Sequence, residues 1–398
     1  MIARKQIDIG WGDIAYAMAA GCGLTRELAA PAGALLACRA DSLVCLAVRS
    51  GFDLLLAELA WPAGSEVLVS AITIPDMTRI LREHGLVPVP VDIDPETLAV
   101  DEAALDAART PRTKAVLVAH LFGSHLVLGR IADWAHAHGL LMLEDCAQAF
   151  TADGFVGHEA SNVRMFSFGP IKTATALGGA VLLVQDAALL DRLRRRHATW
   201  PVQSTGAFLR RVLKFACFHP LLLSWTYGAI MAAVRLAGRD PDVVITQLGR
   251  GFAGGDFFQK LRHRPCEALV RLLEHRLATY DANRVRRRAA AGERVLMRLA
   301  TVRPLGAQAP NRTHWLFPLR VRDRAALMRR LAREGFDTTC ASSSLYAVPG
   351  DNGHPAPPAA TAAMSHVLYV PVYAEMGPAR LDRLADLLNE LAQPPESS

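Results

Sequence analysis

The stretch Phe166-Ser-Phe-Gly-Pro-Ile-Lys172-Thr-Ala-Thr-Ala-Leu-Gly-Gly-Ala180 decides how this chain is read. Lys172 follows a short apolar run, Val163 to Phe168, and precedes a run of small residues and glycines. That setting suits an amine held in a pocket and desolvated enough to form a Schiff base. Upstream, Leu140-Leu-Met-Leu-Glu-Asp145-Cys-Ala-Gln148-Ala places an acid at the carboxyl end of a second buried strand.

Working outward, residues 31 to 200 alternate short β-rich runs with helical stretches. The pattern predicts strands at Val67 to Ala71, Val87 to Val91, Ala115 to Ala119, Leu140 to Glu144, Val163 to Phe168 and Gly179 to Val184. Helices are expected at Phe52 to Ala60, Asp76 to His84 and Leu128 to His138. Near-continuous apolar strands separated by helices indicate an α/β fold with a mainly parallel sheet covered on both faces. Ligands in such sheets gather at the carboxyl ends of the strands, where Asp145 and Ser167 fall.

Past residue 255 a long arginine-dense helix, Cys266 to Leu299, is expected. A compact α+β module follows, with strands at Trp315 to Val321 and Val367 to Val372 and helices at Arg324 to Gly335 and Ala379 to Leu391. Asp351 to Pro358 reads as a loop and Gln393 to Ser398 as a frayed tail. The organisation is then an N-terminal segment at 1–30, a large domain at 31–205, an apolar helical insertion at 206–255, and a long helix with a small domain at 256–398.

The insertion breaks the alternating pattern. Phe215 to Val234 is a 20-residue run without Asp, Glu, Lys or Arg, preceded by Arg210, Arg211 and Lys214 and followed by Arg235. By length it matches a bilayer span. His219 and Pro220 near its start argue against one, and leave two other readings open: a membrane-surface or lipid-facing insertion, or a buried contact with a domain or partner.

The 398 residues are 51% apolar, enough for more than one structural unit. Against 38 acids stand 44 Lys and Arg, an excess of 6 positive charges, too mild to argue for nucleic acid. The runs Arg192 to Arg196 and Arg284 to Arg288 read as solvated helix faces. The seven cysteines, at 22, 38, 45, 146, 217, 266 and 340, show no metal-ligand spacing, so no metal is expected and the thiols are read as buried in a reducing cytosol. Met1 to Asp8 lacks the apolar core of a signal peptide, and a cytoplasmic protein is expected, peripheral to the membrane's inner face if the insertion touches lipid.

A lysine and an acid on neighbouring strand ends are what a pyridoxal phosphate site needs: one holds the aldehyde and the other pairs with the protonated ring nitrogen. In this light the chain resembles the DegT/DnrJ/EryC1/StrS family of fold-type-I sugar aminotransferases, over most of 31–200 and more weakly over 256–392. Seven segments agree in order: Arg49-Ser-Gly-Phe-Asp-Leu54, Gly64-Ser-Glu-Val-Leu-Val69, Val91-Asp-Ile-Asp-Pro-Glu-Thr-Leu98, Thr110-Pro-Arg-Thr-Lys-Ala115, His120-Leu-Phe-Gly123, Glu144-Asp-Cys-Ala-Gln-Ala149 and Phe166 to Lys172. The resemblance implies a seven-stranded-type sheet, a small C-terminal domain and a homodimer. It implies that Lys172 forms the Schiff base and carries a proton between substrate and cofactor, and that Asp145 salt-bridges the pyridinium nitrogen. Gln148 would contact the ring hydroxyl, Ser167 the phosphate, and Ser50-Gly51-Phe52, opening a helix, would cradle the phosphate with backbone N–H groups. His120 would lie near the ring, or serve as a satisfied structural histidine.

The chain also departs from the family's pattern. Phe52 stands where a threonine is usual, and Ile74 where an aromatic ring stacks on the cofactor. The asparagine that reaches a partner's phosphate has no match around Phe257 to Lys260. Thr338 to Ser344 replaces a His-Tyr pair, and Tyr373 replaces a histidine. The resemblance implies transfer of an amino group, with glutamate as donor, to a keto group of a nucleotide sugar. Two alternatives stay open: amination of a lipid-linked sugar or acyl ketone at a membrane surface, and a non-catalytic, cofactor-binding regulatory protein. Sugar dehydratases of the same family carry histidine where Lys172 stands.

Overall fold

A computed structural model describes residues 1–25, 36–221, 223–238, 256–341, 344–351 and 353–395. The 239–255 part of the insertion, Ser342 and Ser343 of the Thr338 to Ser344 stretch, Asn352 of the loop and the last three tail residues lie outside them.

A seven-stranded sheet organises the first half of the chain, in the order β1 (Ser42–Cys45), β8 (Ala180–Val184), β7 (Val163–Ser167), β6 (Leu141–Asp145), β5 (Thr113–Ala119), β2 (Glu66–Ser70), β4 (Val87–Val91). The four pairings from β7 to β4 are parallel, whereas β8 runs antiparallel to both β7 and β1. Valine, leucine and alanine fill these strands on both faces, because helices cover both sides and neither can be polar. One core layer holds Leu68, Val116, Val118 and Met142, and the other Val67, Leu117, Leu143 and Leu182.

Three helical expectations need correction. The helix predicted at Phe52 starts four residues earlier: α2 runs Val48–Leu59. The predicted long helix 266–299 is two, α10 (Glu267–Thr279) and α11 (Asn283–Arg298). They part because the Asp281 carboxylate accepts the Asn283 N–H at 2.9 Å and caps a fresh start. The apolar run 215–234 is also divided, between α7 (Thr205–Leu221) and α8 (Ser224–Leu236), which bend by 96° around the break. Pro220 in the last turn of α7 cannot donate a helical hydrogen bond, which favours that break. No single described helix is long and apolar enough to cross a membrane.

The sequence pattern missed α1 (Trp11–Gly21), which packs on α7 and α10, and β1 at the sheet edge. Between β2 and β4 lie β3 (Ile72–Thr73) and α3 (Pro75–Glu83). The C-terminal module is built on the antiparallel pair β9 (Phe317–Arg320) and β11 (Val367–Val370). Its core joins Phe317, Leu319, Leu331, Leu384 and Leu388 to Val295 of α11 and to Ile2, so the first residues of the chain pack with the last.

Candidate active site

Parallel pairing places the carboxyl ends of β5, β6 and β7 side by side, with Asp145 the last residue of β6 and Ser167 the last of β7. The chain leaves β7 in a tight turn, the Lys172 N–H donating to the Gly169 carbonyl at 3.0 Å. A side chain added at Gly169 would meet Ser167 Oγ at 3.7 Å and Lys172 Cγ at 4.0 Å, so both residues lean over the same glycine. Lys172 and Asp145 keep partial exposure amid a buried surround. Burial lowers the Lys172 amine to about 8; Asp145 opposes the shift and Arg49 adds to it. Burial raises the Asp145 carboxyl, countered by the Ala147 N–H at 2.9 Å, Lys172 and His120. An amine near 8 is neutral at physiological pH far more often than an ordinary lysine.

Trp315, Lys5 and Arg288, which the sequence reading did not single out, complete this centre. The Lys172 amine lies 4.3 Å from the Trp315 ring centre and the Lys5 amine 4.9 Å from it. The Trp315 indole N–H donates to the Ile171 carbonyl at 3.2 Å, which holds the ring against the lysine turn. Burial, then Lys172, then Arg4 lower Lys5 to about 7. Arg288 of α11 donates to Thr173 Oγ1 at 3.1 Å and to the Thr313 carbonyl at 2.9 Å. The run Arg284 to Arg288 is therefore not a purely solvated face. Arg284 pairs with Asp8 at 2.7 Å, and Asp8 accepts the Ala174 N–H at 2.9 Å, two residues past the lysine.

The loop carrying Trp315 is positioned by Gly123. Its φ of +89° is left-handed, and an added Cβ would meet Thr313 Oγ1 at 2.3 Å and Trp315 N at 2.8 Å. Thr313 returns both its N–H, at 2.8 Å, and its hydroxyl, at 2.9 Å, to the Gly123 carbonyl. The glycine of His120-Leu-Phe-Gly123 was the available signal for that contact, although its partner was not readable.

Gln148 Oε1 accepts the Phe122 N–H at 2.8 Å, so any ligand oxygen must be met by its Nε2 donor. His120 has both ring nitrogens engaged within the fold, as the reading of a satisfied structural histidine expects. Its Nδ1 accepts the Leu126 N–H at 3.0 Å, which leaves the proton on Nε2 facing Glu144 Oε2 at 3.1 Å. Glu144 is wholly buried: burial alone raises its carboxyl, but His120, Ser161 and the His158 N–H outweigh that and leave it low. His120, Glu144 and Cys146 sit close enough together to suggest a metal, but this hydrogen bonding accounts for both carboxylate oxygens.

The start of α2 needs a second correction. Ala47 is its N-cap, and the Gly51 N–H already donates to the Ala47 carbonyl at 3.1 Å. The N–H groups left over at this helix end lie in its first turn, those of Val48 and Ser50 among them, and are not those of Gly51 and Phe52. Gly51 serves packing, since a Cβ would strike Leu182 at 2.4 Å, and Phe52 is wholly buried in the core. Ser50 is also wholly buried, and its hydroxyl has no hydrogen-bond partner. Arg49 reaches Asp76 of α3 at 2.5 Å, which brings Ile74, the residue before α3, beside this helix end.

These groups fit a phosphorylated pyridine aldehyde. A desolvated amine can hold the aldehyde, a carboxylate at the next strand end can face the ring nitrogen, and an unpartnered buried hydroxyl with free N–H groups can receive an anion. The residues from Arg49 to Lys172 that supply them lie within one stretch of sequence, and that stretch is where the chain's likeness to known proteins concentrates. Residues 38–207 match the model of the DegT/DnrJ/EryC1/StrS aminotransferase family. An L-glutamine:2-deoxy-scyllo-inosose aminotransferase of Streptomyces kanamyceticus is 37% identical over 139 residues, 34% of this chain and 32% of that protein. A UDP-N-acetyl-3-dehydro-alpha-D-glucosamine 3-aminotransferase of Acidithiobacillus ferrooxidans is 35% identical over 166 residues, 40% of this chain and 45% of that one. The chain thus matches less than half the length of these curated relatives. In structure, the sugar aminotransferase CalS13 from Micromonospora echinospora superposes with a TM-score of 0.66 at 22% identity, covering 98% of this chain and 100% of the other, a likeness of fold. Over residues 38–207 the chain is similar to the DegT/DnrJ/EryC1/StrS aminotransferase family.

Proposed function

We propose that this protein is a pyridoxal-phosphate-dependent aminotransferase that moves an amino group from glutamate to a keto group of a nucleotide sugar. The observation that carries the reading is Lys172, in the turn that leaves β7, beside Asp145 at the end of the adjoining β6, with the lysine's amine lowered to about 8 and Asp145 opposing that shift. Relatives named for amination of a keto-cyclitol and of a UDP-linked keto sugar support the acceptor class.

The bound cofactor supplies an aldehyde that takes amines and a ring that accepts the electron pair left by a departing proton. Lys172 would hold the aldehyde, and its neutral amine would move the proton taken from the substrate carbon. Asp145 would face the ring nitrogen and favour its protonated form. Ser50 Oγ, the N–H groups of Val48 and Ser50, and Ser167 would receive the phosphate. Ile74 offers an aliphatic face to the ring. Trp315 would shield the lysine amine, with the Lys5 amine on the same ring 4.9 Å from its centre.

A homodimer belongs to the same reading on the family resemblance, and light scattering tests it. A cytoplasmic setting is supported by the cysteines, none of which forms a disulfide, although Cys22 and Cys217 are exposed and not buried as expected. The functional test is a half-reaction. Glutamate should bleach the visible band of the cofactor-loaded protein, and a UDP-linked keto sugar should restore it. A loaded protein that no amino donor bleaches would exclude transamination.

A further inference from the structure

The α7–α8 hairpin presents apolar side chains on its outer surface. On α7, Phe208, Val212 and Phe215 face inward. The opposite stripe, Leu213, Cys217 and Leu221 at four-residue spacing, is exposed. Leu223 and Trp225 extend it around the bend, with Trp225 74% exposed. Trp11 of α1 continues the patch: it is 57% exposed, and its ring stacks on His219 at 5.1 Å between centres. The hairpin is pinned from behind. Arg211 donates to the Leu177 carbonyl at 3.2 Å, His219 Nε2 lies 3.1 Å from the Ile9 carbonyl, and the Tyr227 hydroxyl donates to the Asp337 carboxylate. These anchors take the inner face, so the outer one is left for a partner.

Charge decides which partner. Residues 205 to 236 contain Arg210, Arg211, Lys214 and Arg235 and no acid. Arg210 and Lys214 are exposed beside the apolar stripe, nearer the start of α7, while Leu221, Leu223 and Trp225 form the tip. A second copy placed symmetrically on this face would set cations against cations. A surface with an anionic outer layer over an apolar interior matches both parts, and tryptophan favours that boundary. Neither helix is long and apolar enough to cross alone: the 13 residues of α8 rise about 20 Å, short of a hydrocarbon core of about 30 Å, and the 96° bend keeps α7 and α8 from forming one straight span.

We infer that the α7–α8 hairpin seats the protein on an anionic phospholipid surface, with Leu221, Leu223 and Trp225 entering the headgroup layer and Arg210 and Lys214 meeting the lipid phosphates. The site stands apart from the catalytic reading and does not depend on it.

The experiment is sedimentation of the full chain with phosphatidylcholine vesicles, with and without phosphatidylglycerol. The expected result is pelleting with the anionic vesicles alone, lost at high salt. The double variant Arg210→Glu, Lys214→Glu should weaken it roughly tenfold or more, and Leu223→Ser with Trp225→Ser should weaken it comparably. If a variant misfolds by circular dichroism, quenching of wild-type tryptophan fluorescence by brominated lipid decides instead. No pelleting and no quenching overturns the inference. So does a solution dimer that Leu223→Ser with Trp225→Ser dissociates, because the patch would then be covered by a second copy.

Discussion

The strand-end centre and the α7–α8 hairpin break the usual rules of exposure in opposite ways. At the strand ends, titratable groups are drawn out of water: the Lys172 amine is pushed down to about 8, the Asp145 carboxyl is pushed up, and Ser50 is buried with no hydrogen-bond partner. On the hairpin, tryptophan and leucine are left in water. Each arrangement is costly alone and makes sense once something else occupies the site: a small anionic cofactor in one case, a large anionic surface in the other. Unfavourable placement is thus the more informative signal, and its sign indicates the ligand's chemistry.

Variants should separate the two regions. Lys172→Ala is the largest expected effect, a loss of amino transfer of roughly a thousandfold or more with vesicle pelleting intact. Asp145→Asn should lower the donor half-reaction by about a hundredfold or more, read by stopped-flow absorbance, because the ring nitrogen loses its anionic partner. The hairpin double variant Arg210→Glu, Lys214→Glu should show the reverse pattern, with weakened vesicle binding and a donor half-reaction unchanged. A shared loss would mean that the regions are coupled.

Gly123→Ala tests how the second half of the chain reaches the site. The new Cβ would press on Thr313 and Trp315 at a left-handed backbone position, a destabilisation of about 2 kcal/mol or more in chemical unfolding. The pH dependence is the finest prediction. Below about 8 Lys172 is protonated and cannot attack an aldehyde, so pyridoxal phosphate capture by the cofactor-free protein should rise with pH through about 8. Asp145 raises that value, so Asp145→Asn should move the midpoint down. Arg49 lowers it, so Arg49→Gln should move it up.

The sheet was legible because its strands are short apolar runs between helices, a pattern that burial on both faces requires. The placement of Asp145 and Ser167 at strand ends, and of Lys172 just beyond, was legible from the apolar runs that precede them. Phe52 and Gly51 misled because the helix begins at Val48, and no proline, serine or aspartate marks its N-cap, Ala47. His120 stayed open between two readings because the buried Glu144 that accepts its Nε2 hydrogen bond lies 24 residues away. Trp315, Lys5 and Arg288 were beyond reach for a related reason. Each arrives from a distant part of the chain, and the single local trace of that convergence is Gly123. The hairpin was half legible: its composition announced an interface, while its bend and its inward anchors needed coordinates.

The central claim is that the Lys172 amine holds an aldehyde cofactor beside Asp145. The most direct measurement is the absorbance of the purified protein with pyridoxal phosphate, followed by borohydride reduction and peptide mass mapping. The account predicts a visible band that glutamate bleaches, and a reduced cofactor adduct on Lys172. A band with its adduct on Lys5 or another lysine, or no adduct at all, would contradict it.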